Sequence, residues 1–268
     1  MMPVRLVFVR HGESEGNVAK RLSRRGDTSA FTPEFLDRHS YQFRLTDVGI
    51  KQAEAAGVWI KANINGGKFD RQYVSEYVRA IETAARLSLP DALWRKDLDI
   101  RERDYGLMDL LSPEDTKRLY SEELKLFRRD SLLMPTPGGG ESMATVGLRS
   151  KAFFDTLHRE CSRNSVIVVS HGEFIWSCRI RLERITIGRY HELDSSKNPH
   201  DRIHNCQIIE YTRVDPKTGE EASCYNWMRS VCPSGLLLSR NEWVPIVRKK
   251  FTNEDLLAEV ESYPRYIS

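Results

Sequence analysis

The residues with the clearest chemical capacity are two histidines, two arginines and a glutamate: His11, His171, Arg10, Arg79 and Glu102. Each histidine precedes a glycine and ends an apolar run, in Val7-Phe8-Val9-Arg10-His11-Gly12 and in Ile167-Val168-Val169-Ser170-His171-Gly172. Arginine forks match phosphate oxygens bidentately. A neutral imidazole can attack phosphorus in line and carry the phosphoryl group as a covalent intermediate. A second imidazole can hydrogen-bond the equatorial oxygens, while a carboxylic acid protonates the leaving oxygen. Glu102 is the natural candidate for that acid, with Glu76 as a competing carboxylate. Arg103 and Tyr105, beside Glu102, are candidate substrate contacts. Phosphoryl transfer asks little of a protein beyond positioning and charge stabilisation, and this set could supply both.

Such groups need elements that bring them together. The runs ending at Arg10 and Ser170 read as buried parallel strands, which are continuously apolar rather than alternating. In an open α/β sheet, ligands bind outside the carboxyl ends of the strands, where both His-Gly pairs fall. Glu13 to Leu22 would form the first turns of a helix. Thr46 is the expected N-cap of another, with Ile50, Ala53, Ala56, Gly57 and Ile60 as its buried stripe and Gly66-Gly67 at its end. Phe69 to Ser75 reads as a strand, and Ser75 would cap the helix that carries Arg79 in its first turns. Leu98-Asp99-Ile100 suggests a short strand. Pro113 to Asp130 is charged and helical, and a helix runs from Glu141-Ser142-Met143 to about Cys161.

Beyond the second His-Gly pair, Phe174, Ile175, Cys178 and Leu182 mark a helix. Tyr190 to His204 reads as loop and Cys206 to Tyr211 as strand. A turn at Asp215 to Gly219 would return the chain as a hairpin through Ser223 to Met228. Leu256, Leu257 and Val260 give the tail helical spacing. The alternation of strands and helices predicts an α/β fold: a three-layer, mostly parallel sheet with helices on both faces. A helical cap is expected as an insertion near 107–135. The expected organisation is a catalytic domain over 1–211, with a hairpin and helix over 212–268 packed on the same domain.

Composition narrows the function classes. A net charge of +3 argues against a protein that coats nucleic acid. The five cysteines are odd in number and widely spaced, which fits a reduced, cytoplasmic chain better than a disulfide framework. No stretch reaches the ~20 apolar residues of a membrane helix, and the N-terminus lacks a charged-then-apolar leader. His191, His200 and His204 lack regular ligand spacing, so no metal site is expected there. Arg21, Arg24, Arg25 and Arg38 could receive an anionic substrate or form a solvated basic face. Trp227 and Trp243 read as packing residues.

At these residues the chain resembles the histidine phosphatase superfamily, which includes phosphoglycerate mutases and acid phosphatases. The resemblance rests on Arg10-His11-Gly12-Glu13-Ser14 with Asn17, on Leu45-Thr46 with Gly49 and Gln52-Ala53, and on Arg79-Ala80 with Thr83-Ala84. It continues through Glu102 with Gly106, Pro137-Gly138-Gly139 with Glu141-Ser142, Ser170-His171-Gly172, and Asn205 ahead of a final strand. The motifs keep family order over roughly residues 4 to 211.

The resemblance implies that His11 becomes phosphorylated and that Arg10, Arg79 and His171 complete the phosphate pocket. Asn17 would contact the transferred group or the substrate, and Gly172 belongs to the phosphate-binding turn. Glu102 would give its proton to the leaving group and then take one from water. No cofactor and no metal is implied. The Gly-Trp-Asp segment of the mutases is absent, and Leu107 to Leu111 leaves the mutase pattern that Glu102 to Gly106 keeps. The expected activity is therefore metal-independent hydrolysis of a small-molecule or protein phosphomonoester. A phosphoglycerate-type mutase and a non-catalytic binding module on this fold are the alternatives. No motif identifies the substrate or fixes the oligomeric state, and neither a nucleic acid nor a membrane partner is expected.

Overall fold

The computed structural model describes residues 1–267. Strand β1 (Arg5–Arg10) is buried from Leu6 to Val9, and each such side chain contributes on the order of 1.5–3 kcal/mol by leaving water. With β2 (Arg71–Ser75), β3 (Trp94–Asp97), β4 (Ser165–Ser170), β5 (Ile208–Thr212), β6 (Trp227–Val231) and β7 (Arg240–Pro245), it forms one seven-stranded sheet in the order β3-β2-β4-β1-β5-β6-β7. The first four strands in that order are parallel. The last three extend the sheet antiparallel. The expected three-layer α/β fold is present, and its parallel half carries the site.

Side-chain alternation along β1 sends Val7 and Val9 to one face and Leu6 and Phe8 to the other. Val7 and Val9 pack against Ala53, Ala56 and Ile60 of α3 (Asp47–Asn63) and Ala80 and Ala84 of α4 (Val78–Arg86). Leu6 and Phe8 pack against Phe153 and Leu157 of α7 (Met143–Glu160) and Phe174 and Cys178 of α8 (Gly172–Glu183). The Thr46 hydroxyl accepts the Gly49 N–H at 3.1 Å, the expected cap of α3. Helix α1 (Glu15–Ser23) follows the first His-Gly pair.

Several local expectations change. Ser75 does not cap α4; Tyr77 takes the N-cap position, without a side-chain cap bond. The edge strand is Trp94–Asp97, and Leu98 to Ile100 is the bend after it. Tyr190 to His204 is not all loop, because α9 (Ile187–Ser195) buries Tyr190 and Leu193. Strand β7 had no strong sequence signal; its residues are mostly exposed at the sheet edge. The segment 23–44 is largely exposed but structured. It forms α2 (Pro33–Leu36) and a 3-10 turn at Ser40–Gln42, with Phe35 stacked on Phe43 at 4.4 Å. The cap region holds α5 (Pro113–Leu119) and α6 (Ser121–Arg129). Helix α10 (Asn253–Glu261) is exposed along its length.

Candidate active site

Strand register places the two histidines side by side. Strands β1 and β4 are parallel with Arg10 opposite Ser170, so His11 and His171 leave the sheet at one level. Their ring centroids lie 5.1 Å apart, and the His11 N–H donates to the Ser170 carbonyl at 2.9 Å. The turn after β1 lies against the start of α3. A Cβ on Gly12 would come within 2.4 Å of the Gly49 carbonyl oxygen, and one on Gly49 within 2.0 Å of the Glu13 carbonyl oxygen. Backbone sits so close here that glycine is required at both positions.

His11 is 1% exposed. Its Nδ1 lies 2.7 Å from the Gly12 carbonyl oxygen. A carbonyl oxygen can only accept, so Nδ1 carries the proton and Nε2 keeps its lone pair. Arg79 Nε points at that lone pair from 3.2 Å. Burial, then Arg79, then Arg10 hold the His11 imidazole well below its ordinary proton affinity. His171 is lowered likewise, by burial first and then by Arg79. Its Nε2 lies 2.8 Å from Ser75 Oγ, and its Nδ1 is buried without a partner.

The other expected residues gather at the same cleft. Arg79 comes from the first turn of α4, where its Nη1 donates to the Ser40 carbonyl at 2.7 Å. Arg10 Nη1 donates to the Ile203 carbonyl at 2.6 Å, and its Nε is buried and unpartnered. Asn17 Oδ1 accepts from Asn205 Nδ2 at 3.1 Å, and the same Nδ2 also approaches the His11 carbonyl at 3.0 Å. Gly172 opens α8 beside Arg10, where a Cβ would lie 3.4 Å from Arg10 Nε. Glu102 Oε1 accepts the N–H of Arg103 at 2.9 Å and that of Glu173 at 3.2 Å. Both Arg103 and Tyr105 line the cleft. Arg103 Nε donates to the Glu141 carbonyl at 2.9 Å. The competing Glu76 is exposed and outside the cleft.

The cleft encloses about 820 Å³. Phe31, Phe35 and Phe43 of the 23–44 segment form part of its wall, and Tyr105 and Asp109 enter from the cap side. Arg21 and Arg24 line it, whereas Arg25 does not. Arg38 pairs with Glu15 at 3.4 Å and stacks on Phe43. His191 pairs with Asp130 at 3.6 Å, and His204 Nε2 binds the Pro199 carbonyl at 2.8 Å. One donor set among the described residues, His11, Glu102 and His171, has ligand atoms within 4.8 Å of one another, close enough for a cation. The buried Arg79 guanidinium shares that space, with its Nε facing His11 Nε2, and half-buried Arg10 lines the same cleft. The field favours an anion such as a phosphoryl group.

Sequence reasoning missed three contributors. Arg149, on α7, holds the strand of chain that presents Glu102. Ser75 holds His171 rather than a helix. Glu173, two residues past His171, places a second carboxylate in the cleft. The apolar run before His171 located this turn, but nothing in the spacing singled out its third residue.

The histidine phosphatase superfamily (branch 1) model matches residues 6–213, so this chain belongs to that family. Among curated relatives, a 2,3-bisphosphoglycerate-dependent phosphoglycerate mutase from Rhizobium etli is 31% identical over 187 residues, covering 68% of this chain and 80% of its own. The corresponding protein of Rhizobium meliloti is 32% identical over 190 residues, with 68% and 80% covered. Among solved structures, a mycobacterial glucosyl-3-phosphoglycerate phosphatase superposes with a TM-score of 0.58 at 22% identity, covering 77% of this chain and 89% of that one. The alpha-ribazole phosphatase of Shigella flexneri gives 0.60 at 19% identity, over 82% and 95%. The sequence relatives are thus named as mutases, and these two structural neighbours as phosphatases.

Proposed function

We propose that this protein is a metal-independent phosphomonoester hydrolase that forms a phosphohistidine at His11. The observation that carries this reading is the His11 Nδ1 contact with the Gly12 carbonyl. It leaves an unprotonated Nε2 beside Arg79, so the nucleophile needs no deprotonation before attack. Arg10, Arg79 and His171 hold the transferred oxygens, and Glu102 protonates the leaving oxygen. Nε2 bonds to phosphorus as the ester P–O bond breaks. Water then gives a proton to the Glu102 carboxylate and attacks phosphorus, the P–N bond breaks, and inorganic phosphate leaves.

The substrate on this reading is a phosphomonoester of a small molecule, because the cleft is walled by the 23–44 segment and the cap. Residues 1–211 form the catalytic unit, with 212–268 as an appendage on the same sheet. Five free cysteines support a reducing, cytoplasmic location. Among the described residues no helix is long and apolar enough to cross a membrane.

Mutase activity is the second reading, favoured by the names of the curated relatives. The two differ in the fate of the phosphoenzyme. Hydrolysis of para-nitrophenyl phosphate in chelator, with wild type beside His11→Ala, tests the first reading. Activity that survives chelation and vanishes in the variant is expected. A phosphoenzyme that persists in water, and is discharged only by a phosphorylated acceptor, would establish the mutase instead.

A further inference from the structure

A phosphoryl group alone does not account for the cleft. Its volume of about 820 Å³ is that of a site for a whole small molecule, on the order of 300–1,000 Å³, so the alcohol part of the ester meets walls of its own. Those walls carry aromatic rings. Phe43 is buried against α1, where a Cβ on Gly16 would come within 2.9 Å of its ring. Phe35 stacks on Phe43 with ring centroids 4.4 Å and planes 12° apart, and Phe31 meets Phe35 edge-on at 5.7 Å. The Arg38 guanidinium stands over both stacked rings, at 5.9 and 5.5 Å. Three rings are thus fixed to one another before a ligand arrives. Phe31 and Phe35 are only half-buried and line the cleft, so part of their ring surface is left for a ligand. Beside the phosphate pocket, the Tyr77 ring meets His171 edge-on at 5.0 Å and lines the same cleft.

The polar groups of the cleft, by contrast, are largely committed to the protein. Asn17 Oδ1 accepts the Ser14 N–H at 3.2 Å and Asn205 Nδ2 at 3.1 Å, and Ser14 Oγ accepts the Asn17 N–H at 3.4 Å. His204 Nε2 is engaged by the Pro199 carbonyl. A polyhydroxy alcohol is selected by side chains free to bond its hydroxyls, and few are free here. The cations outside the phosphate pocket are engaged too. Arg21 pairs with Glu13, Lys20 lies 3.8 Å from Asp109 and over the Tyr105 ring, and Arg202 donates to the Asp194 and Ser196 carbonyls at 2.9 and 2.7 Å. Arg103 is held by the Glu141 carbonyl and faces Glu173. We propose that the cleft selects phosphomonoesters whose alcohol carries a flat aromatic ring, seated on the Phe31–Phe35–Phe43 cluster, a substrate class that rests on the hydrolase reading. Flat rings stack offset or edge-to-face on such side chains, and a preassembled cluster orders little on binding.

The test compares wild type, Phe31→Ala and Phe35→Leu on adenosine 5′-monophosphate and ribose 5-phosphate. Both esters release the same primary alcohol oxygen, and they differ by the ring. In wild type kcat/KM should be roughly tenfold higher for the ring-bearing ester, within the range of stacking on an aromatic side chain. Both variants should bring that ratio toward one, and Phe31→Ala does so without touching the Phe35–Phe43 stack. 2-Phenylethyl and 2-cyclohexylethyl phosphate separate a flat ring from apolar bulk, and the phenyl ester should be preferred. A wild-type ratio near one, a ratio that survives both variants, or equal kcat/KM for the phenyl and cyclohexyl esters overturns the proposal. If no ester is turned over, calorimetric titration of wild type with the same four esters still reads the site. Tighter binding of adenosine 5′-monophosphate than of ribose 5-phosphate, without hydrolysis, would sink the hydrolase reading and leave the ring site standing. Hydrolysis of all four esters at equal kcat/KM would do the reverse.

Discussion

Ser75 Oγ, at the end of β2, lies 2.8 Å from Nε2 of His171, at the end of the neighbouring β4. The same oxygen approaches the Tyr77 N–H at 3.4 Å. The hydroxyl still has its proton and a second lone pair, so it holds His171 Nε2 in either ring tautomer. Nδ1 is the buried atom without a partner. A serine between two parallel strands thus fixes the orientation of the second histidine, and its unpartnered Nδ1 is left to face a phosphoryl oxygen.

Removing that hydroxyl should therefore harm turnover more than folding. Ser75→Ala costs about 1 kcal/mol in the hydrogen bond and frees the ring to turn. The expected result is a fall in kcat/KM of roughly tenfold, with a Tm within a few degrees of wild type. Steady-state kinetics beside thermal melting check this. Unchanged kcat/KM would mean that the Ser75 contact does not orient His171.

Arg149 is the second residue that acts from behind the site. Its Nε and Nη2 each reach a Glu141 carboxylate oxygen at 2.8 Å, and Nη1 donates to the carbonyls of Asp99 and Arg101 at 2.8 Å. Nη2 also approaches the Glu102 carbonyl at 3.1 Å. One buried guanidinium thereby fixes the three carbonyls around the acid. Burial pushes the Glu141 carboxyl up, but the Arg149 hydrogen bonds, the Asp104 N–H and the charges of Arg149 and Arg101 together outweigh it and hold the group below its ordinary value. Arg149→Met leaves these carbonyls without their donor and this charge with only the Asp104 N–H and Arg101, a loss of about 3 kcal/mol. A Tm drop of roughly 10 °C is expected, together with a loss of kcat that is larger for esters with poor leaving groups. A variant that melts like wild type would show that Glu141 and the carbonyls find other partners.

The comparison of sequence with structure explains why Arg149 and Ser75 escaped notice. Leu6–Val9 and Val166–Val169 are buried strands with no alternative reading, so the position of His11 and His171 at their ends was legible at once. Thr46 and Ser142 stand at their helix starts with the residue types that capping demands. Arg10, Arg79, Asn17 and Glu102 were legible because they sit in ordered local motifs. Ser75 reads from sequence as a helix cap, which it is not, and its partner lies 96 positions away. Arg149 reads from sequence as one more charge on a helix; its function depends on carbonyls some 50 positions earlier. The aromatic residues of the 23–44 segment show no period, so their place in the cleft wall is not legible in the sequence. They pack on Phe43 and Arg38 across a turn, a contact that no periodicity records.

The two imidazoles also predict how stability depends on pH. Burial and the arginines hold both His11 and His171 well below their ordinary value. In the unfolded chain each takes up a proton near pH 6.5. Below that pH the unfolded state binds more protons than the folded state, so stability falls as pH falls. Glu173 works in the opposite sense. Burial and the Glu102 charge push it up to about 7, so the folded state keeps a proton that the unfolded chain releases above its ordinary carboxylate range. Its contribution is therefore lost as pH rises through about 7. Between pH 5 and 6.5 the two histidines outweigh the one carboxyl, and the protein without phosphate should melt at a lower temperature at pH 5 than at pH 6.5. Replacing both histidines with asparagine should flatten this slope, whereas Glu173→Gln should steepen it. Melting curves across pH, in a phosphate-free buffer, measure the difference directly. Inorganic phosphate should raise Tm at both pH values in wild type, and raise it less in the double variant, because the anion then lacks two of its donors. A slope that survives the double replacement would place the acid sensitivity outside the candidate site.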